Sequence, residues 1–480
     1  MKSYKSTITA VKYALVVFSI AISLRTITEI LASPYPIGYD VINYYLPILK
    51  NFDDHWPTIS NQLPFYISLL HTISWLLHVD PRIVVNSSIV LIFGLFSVVI
   101  YSISRNLLHL NNLQSIFISI FVIFQVSVLR TTWDLHKDMF SLTITFFCLL
   151  YVSRIPNLSN KMMVVIAALS TISVLADRMI GLLLTLSLIA SSFVKRQEAL
   201  ASIAILVTIV YGLSLATNFE NVSFNVQLAT NNGDKIDLFY NPVNLIVLFL
   251  VLNAILLPAG LVALLKSSLT IFKIPFFISL IGSFSWLLFP NTSAFLPDRW
   301  ITIFSIFLSL FSGYGFVLLI ENKRIAISHK KLNNYLVILI PFVFLGSAFA
   351  MSPNGSYLNV YGVFHPYISH YGPLTMQYNS ISLPESESLL SLIEWINNEN
   401  NTSAGSTIMG SKHLRGWMEL ELENRSFLFS DNITDMLNSN KYAEFYLLNS
   451  SKVEHQLQNY SSKLSYNNSD FSLYHLKRIE

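Results

Sequence analysis

Over the first 350 residues the apolar positions form neither an alternating pattern nor a narrow stripe. They run on, interrupted by short polar stretches, at about 9–32, 83–104, 114–130, 139–153, 161–176, 179–194, 199–217, 243–265, 272–290, 300–320 and 333–351. A run of this kind reads as a helix long enough, or nearly so, to cross a bilayer, because only a helix satisfies its own backbone in lipid. The pattern therefore predicts a membrane all-α unit of about eleven transmembrane helices. The run Leu63–Val79 could be a further span, but counting it would reverse every later loop. It is read instead as an interfacial or re-entrant helix, with Trp75, His71 and His78 at a suitable depth.

Beyond Met351 the pattern changes to Asn-, Ser- and Glu-rich sequence without a span. Pro384-Glu385-Ser386-Glu387 opens an amphipathic helix to about Asn398, since proline is tolerated in a first turn. Short β-like runs follow at 406–409, 426–429, 445–448, 463–466 and 471–476, with helical stretches near 412–422, 431–438 and 452–459. The last two strands flank the turn signal Asn467-Asn468-Ser469-Asp470. The expected organisation is a transmembrane domain over 1–352 and a small α/β domain over 353–480.

Composition agrees with the pattern. Residues are 53% hydrophobic and 12% charged, too apolar for a water-soluble globule of 480 residues. The formal net charge of +3 is spread along the chain and suggests no nucleic-acid partner. Cys148 is the single cysteine, which excludes an internal disulfide framework. The first apolar run is too long for a signal-peptide core and reads as a retained span. Basic residues near span ends (Lys2, Lys5, Lys12, Arg105, Arg154, Lys161, Lys195, Arg196, Lys266, Lys273 and the group 323–331) fall in alternate loops, which places the N-terminus in the cytoplasm. Eleven Asn-X-Ser/Thr sequons, from Asn86 to Asn467, then lie outside, where such a chain would be glycosylated; Asn157 alone lies inside. The expected location is the plasma membrane, multi-pass, with the C-terminal domain extracytoplasmic.

Charges at the outer span ends are few and carry the candidate chemistry. Asp40 lies in Pro36-Ile37-Gly38-Tyr39-Asp40, just after the first span, and an idle carboxylate there is costly. Arg130-Thr131-Thr132-Trp133-Asp134-Leu135-His136-Lys137-Asp138 packs five ionisable groups into a short outer loop. Asp134 and Asp138 could hold a divalent ion such as Mg or Mn; equally, Arg130 could neutralise Asp134 and Lys137 neutralise Asp138. Asp177-Arg178 is either a self-neutralising turn or part of a site. Arg299, in Pro297-Asp298-Arg299-Trp300, offers a planar fork for phosphate oxygens or anchors a helix start. Tyr39, Tyr44, Tyr45, His55, Trp56 and Tyr66 suit sugar stacking, or form an interfacial aromatic belt. Within the spans, Arg25 and Glu29 stand one turn apart and are expected to pair. An ion-coupled transporter would more often show mid-span acids and broken helices.

The chain resembles the GT-C superfamily of integral-membrane glycosyltransferases, and within it archaeal proteins related to dolichyl-phosphate-mannose protein mannosyltransferases. The segments that carry the resemblance are Gly38-Tyr39-Asp40 with Tyr44, Asn61-Gln62-Leu63-Pro64-Phe65-Tyr66, Trp133-Asp134-Leu135-His136-Lys137-Asp138, and Pro297-Asp298-Arg299-Trp300 with Gly313-Tyr314-Gly315. The resemblance implies a polyprenyl(dolichyl)-phosphate-linked sugar as donor and a glycan or protein hydroxyl as acceptor, with inversion at the sugar. It implies Asp40 as general base, Asp134 or Asp138 on a metal or the acceptor, and Lys137, Arg178 and Arg299 at the leaving phosphate. Val41 stands where many relatives carry a second acid. Trp417-Met418-Glu419 replaces the Trp-Trp-Asp of oligosaccharyltransferases, which argues against that activity. A non-catalytic scaffold or a flippase for lipid-linked glycans is the alternative; oligomeric state is not legible.

Overall fold

The computed structural model describes residues 2–52, 65–154, 160–216, 242–288, 296–322, 331–351, 383–398, 401–402, 405–411, 414–430, 444–449 and 460–478. Each of the eleven apolar runs is helical. Six helices are long and apolar enough to cross a membrane on their own: α1 (Lys2–Ala32, apolar from Ala10), α4 (Pro81–Asn106), α9 (Arg178–Lys195), α10 (Glu198–Ala216), α15 (Pro297–Glu321) and α16 (Lys331–Ala350). Two bent pairs raise the number to eight: α5 (Asn112–Ile123) with α6 (Val126–Trp133), and α11 (Pro242–Asn253) with α12 (Leu257–Lys266). The remaining three runs form α7 (His136–Arg154), α8 (Asn160–Ala176) and α13 (Thr270–Ser283) with the short α14 (Ser285–Leu288), so length and composition support up to eight spans rather than eleven. Helix α7 spends its first turn on His136, Lys137 and Asp138, which leaves too short an apolar stretch. The expected membrane-lying helix is α3 (Phe65–Leu77), which packs on α4 and α8 and exposes Trp75, Leu76 and Leu77.

The bends have local causes. Between α5 and α6 the chain turns by 58°, with Gln125 extended at φ −72°, ψ 135° and its side-chain amide donating back to the Phe121 carbonyl. Between α11 and α12 the turn is 69°, and Pro258 in the first turn of α12 cannot donate to a preceding helix. Helix α15 is the hub of the membrane unit, with nearly all of its length buried. It touches α12 so closely that a β-carbon on Gly315 would sit 1.9 Å from the Ala259 carbonyl oxygen. Small residues at such a crossing let two backbones approach, the usual means of helix association in lipid.

The C-terminal unit is a five-stranded sheet in the order β2-β1-β3-β5-β4, built from β1 (Thr407–Ser411), β2 (Ser426–Ser430), β3 (Glu444–Asn449), β4 (Tyr460–Asn467) and β5 (Ser472–Arg478). Strands β2, β1 and β3 are parallel, and β3, β5 and β4 antiparallel. Helix α17 (Leu383–Asn397) packs its Leu389, Leu392, Ile393 and Ile396 into the core. The Asn467–Asp470 turn closes as expected, with the Asn468 side-chain oxygen accepting from the Asp470 and Phe471 amides. The helices expected near 431–438 and 452–459 lie outside the described residues.

A short helix, α18 (Arg415–Glu421), seats this unit on the membrane unit. It lies against a single π-helical turn, Val41–Tyr45, and the helix α2 (Leu46–Lys50) that continues it. The Gly416 amide donates to Asn43 Oδ1 at 3.1 Å, Lys50 Nζ donates to the Leu420 carbonyl, and Arg82 pairs with Glu421. Trp417 is fully buried. A β-carbon at Gly416 would meet the Ile42 carbonyl oxygen at 2.4 Å. Gly416→Val should therefore loosen this seat at a cost of about 1–3 kcal/mol, the range for overpacking. Limited proteolysis should release the C-terminal unit faster from the variant than from the wild type; identical cleavage rates would show that the seat tolerates the side chain.

Candidate active site

Asp40 owes its position to Gly38. That glycine has φ +109°, a conformation L side chains rarely adopt, and a β-carbon there would lie 2.1 Å from the Trp133 carbonyl oxygen. The loop after α1 is thereby pressed onto the loop between α6 and α7. The Asp40 amide donates to Asp134 Oδ1 at 3.0 Å, and the Arg130 guanidinium lies 3.3 Å from Asp134 Oδ2, one helical turn back. Asp134 is almost completely buried. Burial pushes its carboxyl up to about 6; the Asp40 charge adds to the rise and Arg130 opposes it.

Arg299, in the first turn of α15, stands between two further carboxylates. Its Nη2 lies 3.8 Å from Asp40 Oδ2 and its Nη1 3.8 Å from Asp138 Oδ2. Asp138 is in turn within hydrogen-bonding reach of Asp177, whose Oδ2 lies 4.0 Å from Lys137 Nζ. Asp177 Oδ1 caps α9 by accepting from the Ile180 amide at 2.8 Å. Five helix ends therefore bring Asp40, Asp134, Asp138 and Asp177 together with Arg130, Lys137 and Arg299. The carboxylates are largely buried, while Arg299 and Lys137 keep side-chain exposures of 24% and 36%. A chain of buried acids with two partly accessible cations can hold a proton acceptor beside an anion.

Behind this layer, Arg25 pairs with Glu29 at 2.5 Å as expected and donates from Nε to the Thr132 carbonyl at 3.3 Å, tying α1 to α6. Tyr45 and Tyr66, expected among the aromatics suited to sugar, are instead buried behind the site. The Tyr45 ring stacks on His136 at 5.5 Å and packs edge-on against Tyr66, and its hydroxyl accepts from the Lys137 amide. Its neighbour Tyr44 is 49% exposed.

Other expectations sort unevenly. Tyr39 is half-buried, and its carbonyl accepts from Asn43 Nδ2. His55 and Trp56 lie outside the described residues. Arg178 interacts with Tyr211 and Asp177 rather than joining Arg299, while Asp177 also reaches Lys137 and so enters the cluster. The pairing of Lys137 with Asp138 gives way to Lys137–Asp177 and Arg299–Asp138. Asp134 faces the Asp40 amide and Arg130, and Asp138 Oδ2 faces Arg299, so among the described residues the two acids are not paired as ligands of one ion. Among the described residues no group of three His, Cys, Asp or Glu side chains is arranged to hold a metal ion.

Arg299→Gln would leave Asp40 and Asp138 buried without their shared cation. It should cost on the order of 3 kcal/mol, the lower end for breaking a buried pair. Thermal unfolding in detergent should show a lowered midpoint, partly restored by adding Asp138→Asn; an unchanged midpoint would show that the carboxylates do not depend on Arg299.

No family model matches this sequence, and no curated protein matches it. Solved structures do. ArnT from Cupriavidus metallidurans bound to undecaprenyl phosphate aligns with a TM-score of 0.51 at 12% identity, over 98% of this chain and 98% of that one. The same protein in its apo state aligns at 0.45 and 11% identity, over 99% and 98%. From the first membrane helix to the last strand, then, this chain has the fold of ArnT.

Proposed function

We propose that this protein transfers a sugar from a polyprenyl-phosphate-linked donor to an acceptor hydroxyl on the extracytoplasmic face of a membrane. The observation that carries the reading is Arg299 bridging Asp40 and Asp138 at 3.8 Å each, at one end of a polytopic helical unit. The shared fold supports it, since the ArnT structure holds undecaprenyl phosphate. The N-terminus is then cytoplasmic, as the basic residues suggest.

In this reading Asp40 accepts the acceptor's hydroxyl proton as that oxygen attacks the anomeric carbon. The bond from the anomeric carbon to the phosphate oxygen breaks, and polyprenyl phosphate departs with the electron pair. Attack from the face opposite the phosphate inverts the sugar without a glycosyl-enzyme intermediate. Arg299 is held by two long contacts, so its fork can turn to the leaving phosphate, and Lys137 stands within the same cluster. Asp134 fixes Asp40 through its backbone amide, and Asp138 and Asp177 hold the two cations when no phosphate is present. Tyr39 and Tyr44 are the described aromatics nearest Asp40 in sequence for contact with sugar. The donor set does not fit a metal ion, and no step is assigned to one.

A transport reading draws on the two bent helix pairs. Their breaks meet at a cavity of only about 50 Å³, lined by Phe124, Leu252, Ile255, Leu256 and Phe342 with Gln125 and Ser127 as its polar members. It contains no charged group to couple to an ion, which favours the transferase.

Purified protein incubated with a panel of polyprenyl-phosphate sugars and candidate acceptors should release polyprenyl phosphate. Asp40→Asn should slow that release by about 10²-fold or more, the usual weight of a general base. Full activity in Asp40→Asn would remove Asp40 as the base, and no release from any donor would remove the transferase reading.

A further inference from the structure

The helices that end at the Asp40–Arg299 cluster have opposite ends, and these surround a second site. Asp138 and Ser153 lie fifteen residues apart on α7, roughly 22 Å along its axis. Lys195 and Ala10 likewise mark the far ends of α9 and α1. Together with the end of α4 and the start of α13, these residues line a cavity of about 990 Å³. Its polar lining includes Arg105, His109, Ser153, Lys195, Ser268 and Thr270, and no carboxylate is among the lining residues.

Arg105 and Lys195 each meet one neutral acceptor. Arg105 Nη1 donates to the Leu110 carbonyl and Lys195 Nζ to the Ser153 carbonyl at 3.3 Å. Those bonds satisfy helix-end carbonyls but leave two formal positive charges without an anion among the described residues at the cavity. Helix α13 begins in the wall and has no side-chain cap, so the positive end of its dipole adds to the field. Cations serving only as caps for carbonyls would need no space around them. This space matches the volume of small-ligand pockets, and Val194, 53% exposed, offers an apolar flank beside Lys195.

We infer that this cavity, at the end of the bundle remote from Asp40, binds a phosphate-bearing anion through Arg105, Lys195 and the start of α13. The phosphate belongs either to an anionic phospholipid headgroup, with its acyl chains along Val194, or to a soluble phosphate compound. The inference is independent of the transferase reading, because none of these residues belongs to the Asp40 cluster.

The test uses the full chain purified from nanodiscs of phosphatidylcholine and phosphatidylglycerol, with retained lipid counted by native mass spectrometry. Wild-type protein should keep phosphatidylglycerol in preference to phosphatidylcholine, and R105Q/K195Q should keep at least tenfold less. Thr270→Glu, which puts a carboxylate at the cavity wall without removing either carbonyl cap, should show the same loss if the double variant folds poorly. Lys266→Gln, a basic residue outside the lining, should change nothing. Inorganic phosphate in the millimolar range that raises the wild-type unfolding midpoint, but not that of Thr270→Glu, without selective lipid retention would assign the cavity to soluble phosphate. Equal retention and equal midpoints in wild type and both cavity variants, or an equal loss in Lys266→Gln, would overturn the inference.

Discussion

Four carboxylates withdrawn from water at one end of a helical bundle are a standing electrostatic cost, and their pairing organises this molecule. Removing ionised groups from water costs several kcal/mol each unless charge and hydrogen bonds are returned to them. Arg299 answers Asp40 and Asp138, Arg130 answers Asp134, and Lys137 answers Asp177. Apart from Arg130 and Asp134, which share the end of one helix, these partners come from separate helix ends, so the bundle must close in one arrangement for the other acids to find their cations. The pairs carrying Arg299 and Lys137 are also the long ones, at 3.8–4.0 Å, and the two cations are the most accessible members. A cluster held in this way is stable when empty and can still turn a guanidinium toward an incoming anion.

Backbone contacts set the distances that the charges then exploit. Gly38 lets the first loop reach the Trp133 carbonyl, which brings the Asp40 amide to Asp134. Gly315 lets α15 settle on α12, which fixes the helix that carries Arg299. Gly416 lets α18 of the C-terminal unit rest on the π-helical turn that Asp40 precedes. The C-terminal unit is thus coupled mechanically to the segment that holds Asp40.

Much of this was legible in residue order. Unbroken apolar runs gave the helices, because lipid leaves a backbone no other way to satisfy itself. The five short runs of the C-terminal unit became its five strands. Asp40, Asp134, Asp138 and Arg299 stood out because ionisable groups beside apolar runs are rare and costly. Asp177 was harder to see. Next to Arg178 it suggested self-neutralisation, yet in the folded chain the acid also reaches Lys137, a residue on another helix. The bend at Gln125 left no breaker in the sequence, whereas the one before α12 had Pro258.

By itself the sequence determined a membrane-spanning helical unit, a small mixed domain after it, and a shortlist of charges too expensive to be idle. Those follow from hydropathy and composition, which act locally and can be read locally. Tertiary structure alone decided which cations Asp40, Asp138 and Asp177 meet, that Asp134 and Asp138 serve separate partners, and that the far ends of the same helices enclose a basic cavity. Apart from the local pair Arg130–Asp134, these pairings join residues on different helices, and their distances are set by how helices pack, not by the order of residues within any one of them.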